Sequence, residues 1–180
     1  IQWRRVLPIL ITGVIGIPFG TLILIFLPSE WLKVMIGIVI SIFAVVLLVG
    51  YSRKVKNEKL ALLPVGFISG LLNGSISMSG PPVILFLTNQ AVRKEIFRAN
   101  IVTYFFLLNI VTLMVFIFSR ILTEEVLITS MILLPPLPIG IVAGEFMSNR
   151  VSEKLFRKIA LFLVLGTGLI ALITGILSIF

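Results

Sequence analysis

The sequence predicts an all-α integral membrane protein: a polytopic helix bundle with inverted repeats and one broken, re-entrant helical hairpin. Three observations carry this reading. Of 180 residues, 59% are hydrophobic and 12% charged, and mean hydropathy is +1.23; that leaves too little polar surface to cover a soluble core, so lipid must act as solvent. The charges gather in short clusters between charge-free runs. One of those runs has the wrong length for a simple crossing and is interrupted by glycine, serine and proline.

The first run, Val6–Ser29, follows Arg4-Arg5 and is 24 residues long. It has no small-residue cleavage site, so it reads as a spanning helix and not as a leader peptide. The chain opens on Ile1 and not on Met, and Ile1 is not expected to be the natural start. Val34–Ser52, Ala99–Ser119, Val126–Gly144 and Ile159–Phe180 each suit one crossing, for which about 20 apolar residues suffice.

Leu60–Val92 has 33 residues, too many for one crossing and too few for two with a turn. At its middle stands Asn73-Gly74-Ser75-Ile76-Ser77-Met78-Ser79-Gly80-Pro81-Pro82. Glycine costs about 1 kcal/mol and proline about 3 kcal/mol in a helix interior, whereas proline suits the first turn of a new helix. Leu60–Ser75 therefore reads as one helix, Ser77–Gly80 as a break, and Pro81–Gln90 as a second, short helix. Irregular backbone at membrane depth survives only where protein or a water-filled cavity satisfies it.

Loop charges test whether this run crosses. If it does, the 15 Lys and Arg divide 7 to 8 between the two sides. If it enters and leaves on one side, 13 lie there, and only Lys33 and Arg120 lie opposite. Basic residues concentrate in cytoplasmic loops, so Leu60–Val92 is expected to be a hairpin opening to the cytoplasm. Residue 1 is then cytoplasmic and Phe180 outside, in a multi-pass protein of the cell (inner) membrane.

A shift of 124 residues lays Gly16 and Gly20 on Gly140 and Gly144, and Trp31-Leu32-Lys33 on Leu155-Phe156-Arg157. In the topology above the two copies have opposite orientation, the inverted repeat common among secondary transporters. Residues 1–51 would be the last two helices of a first repeat, 52–59 a cytoplasmic basic linker, and 60–180 the second repeat. The second repeat would hold the hairpin at 60–92 and helices at 99–119, 126–147 and 159–179. On this reading about 60 further residues precede Ile1 and carry the first repeat's own hairpin. Gly16/Gly20 and Gly140/Gly144 read as helix-packing positions.

A short helix beginning at Pro81 would direct backbone N–H groups and its positive dipole end into the break, an anion site that needs no cationic side chain. Ser75, Ser77 and Ser79 would add hydroxyl donors and Asn73 an amide. Gly74 and Gly80 would admit close approach to the backbone. Asn109, at the middle of Ala99–Ser119 with Thr103 and Thr112 near its face, would line the path. The binding set is thus Asn73, Ser75, Ser77, Ser79, Gly80, Pro81, Pro82 and Asn109. A second reading stays open: Gly66, Gly70 and Gly74 are spaced by four, a packing signature, and the break could be a structural kink. Glu145 lies close enough to the 148–158 loop to snorkel, with proton relay as its alternative role. Glu124 and Glu125 read as loop charges.

The sequence contains no Cys, His or Asp. Disulfides, thiolate or imidazole metal sites and Ser-His-Asp chemistry are thereby excluded within it. No Lys lies inside an apolar run to activate a serine, so no enzyme and no cofactor or metal is expected. The net charge of +8 reflects topology and anionic headgroups, not nucleic acid. The expected partners are a small anionic substrate and the lipid bilayer; a homo-oligomer is left open.

The stretch GFISGLLNGSISMSGPPVILFL at 66–87 resembles the signature of the TauE/SafE family of sulfite exporters and toluene-sulfonate uptake permeases. So does FRANIVTYFFLLNIVTL at 97–113, with its Asn109. PIGIVAGEFMSNRVSEKLFRKIALFLVLGTGLIAL at 138–172 is similar to the family's last helix pair, and residues 8–50 to the equivalent pair of its first repeat. The likeness takes in the C-terminal three-quarters of such a protein. It implies a two-repeat permease or exporter for sulfite, sulfoacetate, sulfonates and related anions, working by alternating access. Ser77 and Ser79 stand where the family pattern is richer in glycine. The competing reading is a non-transporting structural membrane subunit.

Overall fold

The computed structural model describes residues 1–49, 58–89, 93–148 and 153–179, and all regular structure among them is helical. The elements are α1 (Trp3–Phe26), α2 (Ser29–Val49), α3 (Glu58–Ile76), α4 (Gly80–Asn89), α5 (Lys94–Phe118), α6 (Glu124–Leu133), α7 (Pro136–Ser148) and α8 (Glu153–Ile179). Among the described residues five stretches are long and apolar enough to cross a membrane: Trp3–Phe26, Ser29–Val46, Glu95–Phe118, Glu124–Gly144 and Phe162–Ile179. Most of the expected linker at 52–59 lies outside the described residues.

Glycine decides how α1 and α3 meet. Gly66, Gly70 and Gly74 of α3 lie against the backbone of Ile9, Gly13 and Ile17 of α1, in constant register. Gly16 and Gly20 of α1 lie in turn against Phe67 and Leu71. A methyl group at any of these five positions would overlap backbone of the opposite helix. In lipid, where apolar side chains gain little from leaving solvent, such close backbone approach is the main source of helix association. The glycine spacing of four in α3 is therefore a packing stripe.

That register makes α1 and α3 parallel. α5 is parallel to both: the Gln2 amide donates to Asn100 Oδ1 at 2.8 Å near one end, and Asn73 meets Thr112 toward the other. The first turns of α1, α3 and α5 thus share one end of the bundle, and α4 runs back toward that end. α3 stops at Ile76, which the glycine register places beside Phe19. This is seven residues, about 10 Å at 1.5 Å per residue, short of the end of α1. The tip of the α3–α4 hairpin accordingly lies past the middle of α1.

Val6, Ile9 and Ile17 of α1, Leu62 of α3, Val83, Phe86 and Leu87 of α4, and Tyr104 and Leu108 of α5 form the buried core. The lipid-facing side is equally apolar, as with Ile11, Ile15 and Phe19 of α1. A second group is antiparallel: Gly37 of α2 packs on Gly168 and Leu172 of α8, and Gly175 on Val34 and Glu30. α2 touches α3 only slightly.

Several element boundaries depart from the sequence expectation. The single helix expected at 126–147 is divided, because Pro135 and Pro136 cannot donate to the preceding turn and α7 restarts at Pro136. α6 buries no residue, and a side chain at Gly140 or Gly144 would meet nothing within 4 Å. Their expected packing role has no partner among the described residues. α5 begins at Lys94, not at 99, and α8 at Glu153, not at 159, because helix continues through the charged turns.

Candidate functional site

The break falls at Ser77-Met78-Ser79, between α3 and α4. α3 ends with Ser77 in the left-handed region at φ 55°. The Ser77 N–H donates to Asn73 O at 3.0 Å and the Met78 N–H to Leu72 O at 3.3 Å, so two of the last α3 carbonyls are closed by the turn itself. The amides of Ser79 and Gly80 donate to no backbone carbonyl among the described residues. Pro81 and Pro82 have no N–H, so they fix the start of α4 without adding donors. The donor set at the tip is therefore smaller than a run of amides from 80 to 83.

Two polar rungs tie the hairpin to α5. In the first, Tyr104 OH donates to Ser69 Oγ at 2.8 Å, and Ser69 Oγ donates to Ser79 O at 2.6 Å. In the second, one turn further along α3, Asn73 Nδ2 donates to Thr112 Oγ1 at 2.7 Å and to Asn109 Oδ1 at 3.3 Å. Ser69, Asn73 and Tyr104 are all buried. Away from water an unmade hydrogen bond costs about 1–3 kcal/mol, so these rungs fix where the tip sits.

The predicted residues thus divide by what their polar atoms already do. Asn73 spends both amide protons on α5. Ser75 is buried, and its hydroxyl donates to Leu71 O at 2.8 Å within its own helix. Ser77 is exposed, and neither its hydroxyl nor that of Ser79 has a hydrogen bond among the described residues. Asn109 is exposed, and its Oδ1 is held by Asn73, which leaves its Nδ2 pointing elsewhere. Gly80, Pro81 and Pro82 are partly buried at the start of α4. The side chain of Glu145 lies outside what is described.

Sequence reasoning missed Ser69 and Tyr104. Their signal was weak but present: 69 and 73 share one face of α3, and 104, 108 and 112 one face of α5. It also missed Asn100, buried at the start of α5 with Nδ2 unpartnered among the described residues.

The tip, from Ser69 to Val83, contains no ionisable side chain. Among the described residues it offers two adjacent backbone amides and two hydroxyls as neutral donors, and Asn109 on α5 adds an amide. An anion held this way is bound by dipoles and released without breaking an ion pair. The family model described as sulfite exporter TauE/SafE matches residues 1–171. The chain belongs to the TauE/SafE family. No curated protein and no solved structure matches it. As a TauE/SafE protein it is a multi-pass helical membrane protein of a transporter family.

Proposed function

We propose that this TauE/SafE protein is a permease or exporter for small sulfur-containing anions such as sulfite, sulfoacetate and sulfonates. The observation that carries the proposal is the pair of amides at Ser79 and Gly80 and the hydroxyls of Ser77 and Ser79, none of which has a hydrogen-bond partner among the described residues. A tetrahedral or pyramidal oxyanion presents several acceptor oxygens, which suits an uncharged lining of amide and hydroxyl donors. The Nδ2 of Asn109 completes the set from α5. Asn73 and Ser75 shape the site from behind, and Pro81 and Pro82 fix the direction of α4.

The division into two helix groups supports alternating access. α1, α3, α4 and α5 form one packed unit and α2 with α8 another, and the two touch only slightly. Rocking of one against the other would open the tip to either face. The parallel course of α1, α3 and α5 supports a hairpin that enters and leaves on one face. The 13 to 2 division of basic residues supports that face being cytoplasmic. α2 begins at Ser29 and α8 at Glu153, the offset of 124 at which the sequence aligns with itself, which supports an inverted repeat.

Flux of sulfite, thiosulfate or sulfoacetate in proteoliposomes of the full-length protein tests the reading. Transport of at least one of them is expected, falling more than tenfold in Ser79→Leu and Asn109→Leu. Absence of flux for all three, or variants equal to wild type, would overturn it.

A further inference from the structure

Where α1 and α3 begin, their surfaces separate around a groove of about 780 Å³ lined by Trp3, Arg4, Leu7, Pro8, Leu62 and Leu63. The volume lies within the ~300–1,000 Å³ of small-ligand sites. Leu62 is buried, whereas Leu7 and Leu63 are each 47% exposed, so the apolar channel opens sideways toward lipid. Its mouth carries an indole and a guanidinium.

The two arginines of the first turn are not equivalent. Arg5 Nη1 donates to Gln2 Oε1 at 2.8 Å. Arg4 has no hydrogen bond or ion pair among the described residues. The turn that carries it is held in place, because the Gln2 amide is bound by the buried Asn100 side chain at 2.8 Å. Along the sequence Lys59, beside Glu58, lies one turn before Leu62 and Leu63.

We infer that this groove is a binding site for an anionic phospholipid, with one acyl chain against Leu7, Pro8, Leu62 and Leu63 and the phosphate at Arg4. The helix end sets Arg4 at headgroup depth, where Trp also prefers to sit. Apolar wall and unpaired cation then match the two halves of one lipid molecule. A soluble anion would gain nothing from the leucines, and a zwitterionic lipid nothing from net charge. The inference needs only the membrane setting and is independent of what the protein transports.

Quenching by brominated lipid tests it, because the sequence has two tryptophans, Trp3 and Trp31. Full-length protein with Trp31→Phe, and with any tryptophan outside these 180 residues also replaced by Phe, is placed in vesicles of dibromo-phosphatidylglycerol or dibromo-phosphatidylcholine mixed with unbrominated phosphatidylcholine. Relative affinity is read from the quenching of Trp3. The phosphatidylglycerol is expected to be preferred about fivefold, the effect of one basic residue near a headgroup. Arg4→Gln should bring the ratio to unity and Arg4→Lys should preserve it, with Trp3 emission unshifted in both. Equal quenching by the two lipids, or a preference unchanged in Arg4→Gln, overturns the site. Loss of the preference on adding inorganic phosphate would assign the arginine to a free anion and also overturn it.

Discussion

Tyr104 and Ser69 are joined by a buried hydrogen bond of 2.8 Å, and through it α5 holds the tip of a hairpin with which it shares no turn. Ser69 passes the link on to the Ser79 carbonyl. The two partners differ in what their removal leaves behind. Tyr104→Phe deletes a donor and leaves Ser69 still bonded to Ser79 O, a loss of about 1 kcal/mol. Ser69→Ala strands both the phenol and the Ser79 carbonyl, and about 1–3 kcal/mol is lost. Thermal denaturation in detergent should rank Ser69→Ala below Tyr104→Phe, and both below wild type. The reverse order would mean that the chain does not run through Ser69.

The glycines separate into those that touch and those that do not. Gly70→Ala would drive a methyl into Gly13 O, and overpacking of this kind costs about 1–3 kcal/mol. Gly144→Ala meets nothing within 4 Å. In this 180-residue chain the first substitution should lower the melting temperature by several degrees and the second should leave it unchanged.

Asn73 and Asn109 should fail in different ways. Asn73→Leu removes a buried double donor and leaves Thr112 and Asn109 short of a partner. It should lower stability by about 1–3 kcal/mol and reduce folded yield. Asn109→Leu lies on an exposed face and removes only the longer, 3.3 Å bond of Asn73; it should lower the melting temperature by less than Asn73→Leu does, while anion flux falls. A stability loss at Asn109 equal to that at Asn73 would make both structural.

Ser77 closes α3 at φ 55°, a region that costs a side-chain-bearing residue about 1 kcal/mol. Ser77→Gly should leave stability unchanged or slightly raised, whereas Ser77→Val should lower it by more than 1 kcal/mol. The same test applies to Arg120 at φ 56°, which ends α5 through its bond to Ile117 O and that of Ile121 to Phe116 O.

The break at 77–79 was legible because glycine, proline and run length are local signals that tertiary packing seldom overrides. The family was legible from the residues around that break. The early start of α5 was not. Arg93, Lys94 and Arg98 read as loop because they are charged, yet helix ends at an interface tolerate long basic side chains. The division of α6 from α7 stood in the open at Pro135-Pro136, inside a run read only for its lack of charge. Ser69 and Tyr104 carried only a weak signal, for another reason. In a helix apolar on every side, no periodicity marks the inward face, so only the packed structure shows which serine is spent and which hydroxyl is free.

The central claim is that residues 60–92 enter and leave on one face of the membrane, which puts the amides of Ser79 and Gly80 inside it. The sequence has no cysteine, so single cysteines report cleanly. Lys59→Cys, Arg93→Cys and, as the opposite-face reference, Thr123→Cys are labelled in sealed, oriented vesicles with a membrane-impermeant maleimide. The account predicts that positions 59 and 93 label from the same side and 123 from the other. Labelling of 59 and 93 from opposite sides would contradict it.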